Sequence, residues 1–337
     1  MLIPHQKLTV GPGDIFSGFF SKNYDLSKYI PRKMNFVGSG RAALWLILKD
    51  ENIKSVGIPS FTCKVVLDSI LRADTKPDFI DSGIIPDIKD YRGDALILPY
   101  NFGFLPDINK VKRVCKKNNV ILIEDCAQAL GARYKGRLVG GFGDYSVFSF
   151  GISKNTGFLG GLVNKGVNLR KYPKSKVFNL MLKGLASNLF FNPNFYSRKM
   201  LDKELIKEHE SLLYSMDNYS KNVVMSIFNR YDEIFRIRKE NAKICMDELD
   251  GVIDFVRPLK NTEPSWLYFV LMHKNRNEII KKLLKEKVDL SPLLTFKDLS
   301  GSGRKANKAE KEHFVFALYR DMKEIDFIIN KIKKVVK

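Results

Sequence analysis

Between about residues 33 and 165, short apolar runs alternate with stretches whose apolar residues return at helical spacing. Residues 55–60 (SVGIPS), 76–81 (KPDFID), 95–100 (ALILPY), 120–123 (VILI) and 145–150 (YSVFSF) read as strands. ALILPY and VILI are continuously apolar, the pattern of a strand buried on both faces. Residues 62–73 place Val65, Val66, Ile70 and Leu71 at helical spacing. A second helix runs from Asp107, its predicted N-cap, through Val111, Val114 and Cys115. Strands alternating with helices of this length predict an α/β domain with a largely parallel sheet. Such sheets bind ligands at the carboxyl ends of their strands, here residues 60–63, 100–102, 125–128 and 149–154.

The pattern then changes. Residues 166–201 carry Arg170, Lys171, Lys174, Lys176, Lys183, Arg198 and Lys199 and no Asp or Glu, and residues 177–191 are strongly apolar. Two readings stand for this basic insert, which extends to about residue 205. One is an amphipathic helix lying on an acidic membrane; the other is a helix packed on the protein with solvated lysines. From about Asn218 a long helical pattern passes through Ile227, Tyr231, Ile234, Phe235 and Ile244 and ends near Gly251. Residues 266–272 follow as a strand, 278–286 as a helix and 322–336 as a closing basic helix, with 298–311 expected as a polar loop. Residues 301–304 repeat the Gly-Ser-Gly-Arg of residues 38–41 without a predicted strand before them, and the echo is read as chance.

Composition narrows the classes. The chain has 337 residues, 45% hydrophobic and 28% charged, an ordinary globular composition for about two domains. Cys63, Cys115, Cys126 and Cys245 form no zinc-type spacing and the four histidines are scattered, so no metal site is expected. Residues 1–6 lack the start of a signal peptide, and no apolar run is long enough to cross a bilayer. The expectation is a cytoplasmic protein. The formal net charge of +20 favours anionic partners, but no nucleic-acid-binding motif accompanies it. Nucleic acid is not expected as a partner.

Three places carry candidate chemistry. Gly38-Ser39-Gly40-Arg41 opens a helix, where free N–H groups suit a phosphate; the plain alternative is an ordinary N-cap. Glu124-Asp125-Cys126-Ala127-Gln128 ends an apolar strand, placing Asp125 at the mouth of the sheet, where it would serve a cationic ring nitrogen or merely cap a turn. Phe148-Ser149-Phe150-Gly151-Ile152-Ser153-Lys154-Asn155 places a lysine just past a buried strand. Lysine is rarely put there for packing, and a desolvated amine is a nucleophile for a carbonyl. The bland reading is a loop lysine on the surface.

In order along the chain, Ser39-Gly40-Arg41-Ala42-Ala43-Leu44, Pro59-Ser60-Phe61-Thr62, Ile123-Glu124-Asp125-Cys126-Ala127-Gln128, Gly136-Arg137-Leu138-Val139-Gly140 and the Lys154 motif form a set. The sequence resembles the nucleotide-sugar aminotransferase family (DegT/StrS-like). These are fold type I pyridoxal 5'-phosphate (PLP) enzymes that aminate keto sugars for surface polysaccharides and antibiotics. The resemblance implies a large domain with a mainly parallel seven-stranded sheet plus a smaller C-terminal α/β domain. The boundary is read as 1–215 for the large PLP-binding domain and 216–337 for a long linking helix with the small domain.

It further implies that Lys154 holds PLP through its amine and later moves a proton between the substrate carbon and the cofactor. Asp125 would bond the pyridine nitrogen, a charge-assisted hydrogen bond on the order of 1.5–3 kcal/mol. Gln128 would lie near the ring hydroxyl. Ser149, with the backbone of Gly40 and Arg41 beside Ser39, would hold the phosphate. The amino donor would be glutamate, the acceptor a nucleotide-linked keto sugar, and the assembly a homodimer.

Three departures stand out. Cys63 occupies the place where relatives stack an aromatic residue on the cofactor ring, which leaves Phe61 or Phe102 to stack. Residues 156–161 are a shorter glycine-rich run without the usual Glu. Leu213-Tyr214-Ser215-Met216 replaces an Asn-Tyr-Arg motif that reaches the partner's phosphate in relatives. Lys154 itself argues against the dehydrating relatives, which carry histidine there. The rival readings are a catalytically inactive PLP-binding member with a regulatory or partner-binding role, and a basic nucleic-acid-binding protein.

Overall fold

A computed structural model of the chain describes residues 2–20, 25–193, 196 and 214–336. Its centre is a seven-stranded sheet. In chain order the strands are β1 (Asn35–Val37), β2 (Ser55–Pro59), β3 (Lys76–Ile80), β4 (Ala95–Pro99), β5 (Ile121–Asp125), β6 (Tyr145–Ser149) and β7 (Gly161–Val163). They lie side by side as β1-β7-β6-β5-β4-β2-β3. The run β6-β5-β4-β2-β3 is parallel throughout, and β7 alone runs against its neighbours β6 and β1. The predicted fold class, α/β with a mainly parallel seven-stranded sheet, is the one observed.

Both faces of the sheet are covered because its strands alternate between two apolar sets. Ile97, Ile123, Val147 and Val163 pack under α2 (Gly40–Asp50) and α3 (Lys64–Arg72). Leu96, Leu98, Leu122, Phe148 and Leu162 face α4 (Ile108–Asn118) and, later in the chain, α6 (Asn218–Phe228). Asp107 is the N-cap of α4 as predicted, its Oδ1 accepting from the Lys110 N–H at 3.1 Å. A short helix, α1 (Pro12–Ser17), packs against α6 and against α5 (Lys174–Phe190).

The predicted long helix is two helices, α6 and α7 (Tyr231–Leu249). The break falls at Asn229 and Arg230, where the Arg230 guanidinium turns away to Asp14, the Thr9 carbonyl and the Tyr319 hydroxyl. Beyond it lies a smaller α/β unit with its own apolar core. There β8 (Asp254–Phe255), β9 (Tyr268–Met272) and β10 (His313–Ala317) form an antiparallel sheet, packed with α8 (Arg276–Lys285), α9 (Arg304–Glu312) and α10 (Met322–Val336). The first residues of the chain join this unit: Ile3–Pro4 pairs with Val288–Asp289, and the Ala317 N–H donates to the His5 carbonyl.

Residues 298–311 are not the expected loop. Phe296–Asp298 is a strand paired with Phe61–Cys63, and α9 follows. The helix escapes periodicity because only Ala306 and Ala309 of its nine residues are buried. Its N-terminus is capped from far away: the Lys305 and Ala306 N–H groups donate to the Asp81 carboxylate at 3.0 and 3.1 Å. A strand therefore does precede the second Gly-Ser-Gly-Arg, and both copies open helices.

In the basic insert, α5 is the expected helix. Val177, Met181 and Leu185 pack on the large core, with Gly184 against Phe158 and Ile15. Along the edge of this packed face Phe178, Leu182 and Leu189 are 61%, 47% and 62% exposed. Arg198, Lys199 and Leu213 lie outside the described residues. No described helix is long and apolar enough to cross a membrane.

Asp81→Ala removes the anion from the α9 N-terminus. It is expected to cost about 1 kcal/mol of unfolding free energy in urea titration; an unchanged midpoint would show that water replaces the cap without loss.

Candidate active site

The carboxyl ends of β4, β5 and β6 and the turn after β1 converge on one place. β1 ends at Val37 and α2 begins at Gly40. Ser39 is fully extended (φ −167°, ψ 163°), and its Oγ accepts from the Ala42 N–H at 3.1 Å. That leaves the first two amides of the helix, on Gly40 and Arg41, without an intrahelical acceptor. Gly40 lies flat against Ser149 at the end of β6: a Cβ on Gly40 would sit 2.9 Å from the Ser149 Cβ and 3.2 Å from its Oγ. The structure thus joins the helix turn to Ser149. The Arg41 guanidinium pairs with Asp68 on α3 at 3.1 Å, so Arg41 offers its N–H rather than its charge.

Asp125, the last residue of β5, is buried. Among the described residues one donor reaches its carboxylate, the Ala127 N–H at 3.0 Å. Burial pushes its carboxyl above the usual range, and the nearby charge of Lys154 pulls the other way. The two residues singled out for chemistry therefore share one electrostatic site. Lys154 lies on a tight loop, with its N–H donating to the Gly151 carbonyl at 2.9 Å. That loop is closed by bonds from Phe158 to Phe150 and from Phe150 to Gly160.

Gln128 is buried and uses its Oε1 to accept the Phe102 N–H at 2.7 Å. Phe102 stands at φ 58°, a left-handed backbone that a bulky residue holds only when its surroundings fix it. Cys63 ends the short strand Phe61–Cys63, opposite Phe296, and is half-buried. The two phenylalanines expected to stack in its stead do not offer a free face. Phe61 and Phe102 are both fully buried, packed with Phe296 and the His313 ring. His313 is pushed down to about 4 by burial.

The glycine-rich run after Lys154 turns through Gly157 (φ 68°) and Gly160 (φ 97°). A Cβ on Gly160 would lie 2.5 Å from the Met216 sulfur, so no side chain fits there. The Tyr214 carbonyl accepts from the Gly38 N–H at 2.9 Å. The stretch that replaces the Asn-Tyr-Arg motif thus lies on the chain's own helix turn.

One residue inside the motifs has a role that spacing did not reveal. Glu124 is fully buried and accepts from the Tyr100 hydroxyl (2.7 Å) and the N–H groups of Gly140 (2.8 Å), Phe142 (2.7 Å) and Gly143 (2.7 Å). Its position at the end of a buried strand, beside a second acid, was the available signal.

These features fit PLP. A buried, under-bonded carboxylate suits a pyridinium, an open helix N-terminus against a serine suits a phosphate, and a lysine lies beside the carboxylate. Residues 25–300 match the model of the DegT/DnrJ/EryC1/StrS aminotransferase family. The chain belongs to that family. Its aminotransferases are PLP-dependent enzymes.

DegT/DnrJ/EryC1/StrS relatives include the GDP-perosamine synthase of Vibrio cholerae, 26% identical over 64% of this chain and 58% of that protein. The UDP-N-acetyl-3-dehydro-alpha-D-glucosamine 3-aminotransferase of Acidithiobacillus ferrooxidans is 35% identical over 36% of each chain. The chain thus spans only about a third to three-fifths of these curated relatives. Among solved structures, the PLP form of the putative sugar aminotransferase Spr1654 from Streptococcus pneumoniae superposes with a TM-score of 0.75. It covers 100% of this chain and 98% of its own at 18% identity, a likeness of fold.

The raised pKa of Asp125 gives a signed prediction. A carboxyl raised in the folded state stabilises the fold when protonated. That contribution is full below the unfolded value, about 3.9, and is lost as pH rises through the folded value. In the cofactor-free protein, Asp125→Asn should melt above wild type at neutral pH, with the gap closing as pH falls. Equal melting at every pH would mean that the carboxylate is not desolvated.

Proposed function

We propose that this chain is a PLP-dependent aminotransferase that takes an amino group from glutamate and places it on a nucleotide-linked keto sugar for glycan biosynthesis. The observation that carries the reading is the shared site of Asp125 and Lys154 beside the Gly40–Ser149 cradle. Residues 1–215 would form the cofactor domain and 216–337 the linking helices and small domain. The family's sugar aminotransferases, two of them named for GDP- and UDP-linked sugars, support the substrate class. The basic charge of the chain suits both a cofactor phosphate and a nucleotide diphosphate.

When bound, PLP supplies a ring that takes up the electron pair left as a proton leaves the carbon beside nitrogen. Asp125 would bond the ring nitrogen and keep it protonated, and a cation there would offset the cost of burying the carboxylate. Lys154 would hold the cofactor through its amine and, once freed, would take the proton from the substrate carbon as a general base and give it back as an acid. Ser149 and the Gly40 and Arg41 amides would hold the phosphate and so fix the orientation of the cofactor. Gln128, which holds the Phe102 turn, and Cys63, which ends the strand Phe61–Cys63, would line the cofactor site. The Tyr214 stretch supports the phosphate turn from within the chain. A homodimer would complete the site.

The visible absorption of the purified protein with added PLP tests this. A band that Lys154→Ala abolishes, and that L-glutamate converts to the aminated cofactor's band, is expected. A band indifferent to glutamate would favour an inactive PLP-binding member, the reading that the three departures support. Absence of a band would overturn the proposal.

We also assign the exposed row of α5 to an acidic membrane surface. Phe178, Leu182 and Leu189 fall within about 40° of one another around the helix, in a segment with no acidic residue. Co-sedimentation with anionic vesicles, weakened by salt, is expected, and Phe178→Asp with Leu182→Asp should abolish it. Full retention by the double variant would rule the surface out.

A further inference from the structure

The backbone around Lys154 is held from outside the sheet that presents it. The Ile152 carbonyl accepts from Gln6 Nε2 at 3.3 Å, and the Ser153 carbonyl from the Tyr268 hydroxyl at 3.3 Å. The Asn155 carbonyl accepts from Thr9 Oγ1 at 3.0 Å and from Arg238 Nη2 at 3.2 Å. The carbonyls immediately before and after Lys154 are thus bonded by two side chains of the C-terminal half: Tyr268 on the central strand of the small sheet, and Arg238 on α7. Both are almost completely buried.

Arg238 is the less expected of the two. Among the described residues no carboxylate faces its guanidinium. Its other bond goes to the Tyr231 hydroxyl at 3.4 Å, and its Nε has no partner. A buried cation without a counter-ion is unfavourable by several kcal/mol, and a neutral side chain of similar volume would fill the space at less cost. What the guanidinium supplies is a charged donor aimed at the carbonyl of Asn155, the residue after Lys154. Tyr231 extends the grip by accepting from Asn155 Nδ2 at 2.8 Å, so the Asn155 side chain and carbonyl are held from one helix.

We infer that Arg238 and Tyr268 are positioning residues for Lys154, gripping the peptide on either side of it and setting where its amine stands relative to Asp125. The lysine is thereby referenced to the small sheet and α7, and a displacement of either moves it. The inference rests on the reading of Lys154 as the lysine that carries the cofactor.

Two substitutions test it. Tyr268→Phe deletes one hydroxyl and keeps the ring; Arg238→Lys keeps the charge and loses the fork. Amide hydrogen exchange over residues 151–158 is followed in the cofactor-free protein, and the pH midpoint of the visible band in the PLP-loaded one. Each variant is expected to speed exchange of the loop about fivefold, the equivalent of one hydrogen bond, with β5 and β6 unchanged. Each should also shift the midpoint and lower kcat more than it raises KM. Should Arg238→Lys fail to fold, Tyr268→Phe decides alone, since it removes no packing. A wild-type band together with unchanged loop exchange and midpoint in Tyr268→Phe overturns the clamp. A wild-type protein without a visible band overturns instead the reading of Lys154, and the positioning role with it.

Discussion

A carboxylate buried in a sheet is normally a liability, since removing it from water costs several kcal/mol unless it is fully bonded. Glu124 meets that condition with four hydrogen bonds, from Tyr100 after β4 and from three backbone amides of the turn leading into β6. One side chain therefore ties the carboxyl ends of β4 and β5 to the turn that enters β6. Adjacent residues of a strand point to opposite faces, so anchoring Glu124 on one face fixes Asp125 toward the other. The depth of Asp125, the register of Ser149 on β6 and the start of the Lys154 loop all follow from that anchor.

Much of this was legible in the sequence. The continuously apolar runs marked the central strands, and the order of motifs marked the places where their ends meet. What escaped notice lies where distant parts of the chain supply the partner. The α9 helix has little apolar face, and its cap is more than two hundred residues away. The break between α6 and α7 has no helix-breaking residue; Arg230 is drawn off by Asp14 and Thr9 of the N-terminal segment. The predicted stacking by Phe61 or Phe102 failed for a similar reason, because a strand from the C-terminal half brings Phe296 against both rings.

The two Gly-Ser-Gly-Arg segments show how little four residues decide by themselves. Each opens a helix, whose first amide hydrogens suit an anion. At α9 the chain provides that anion, the Asp81 carboxylate. At α2 the facing group is a serine, and Asp68 is occupied with Arg41. The turn at α9 is closed by the chain's own carboxylate, whereas among the described residues no carboxylate caps the turn at α2, a difference that resides entirely in residues outside the repeated segment.

The manner in which the Lys154 loop is held also bears on the order in which the protein is made. Gln6 and Thr9 leave the ribosome before the central sheet, while Arg238 and Tyr268 emerge only after it is complete. The partners of the N-terminal strand, Val288 and Asp289, come later still. A nascent chain that has just completed β7 possesses the lysine and both carboxylates but none of the C-terminal holds. Synthesis of the segment that carries Arg238 and Tyr268 is thus what adds the second set of holds to the Lys154 loop.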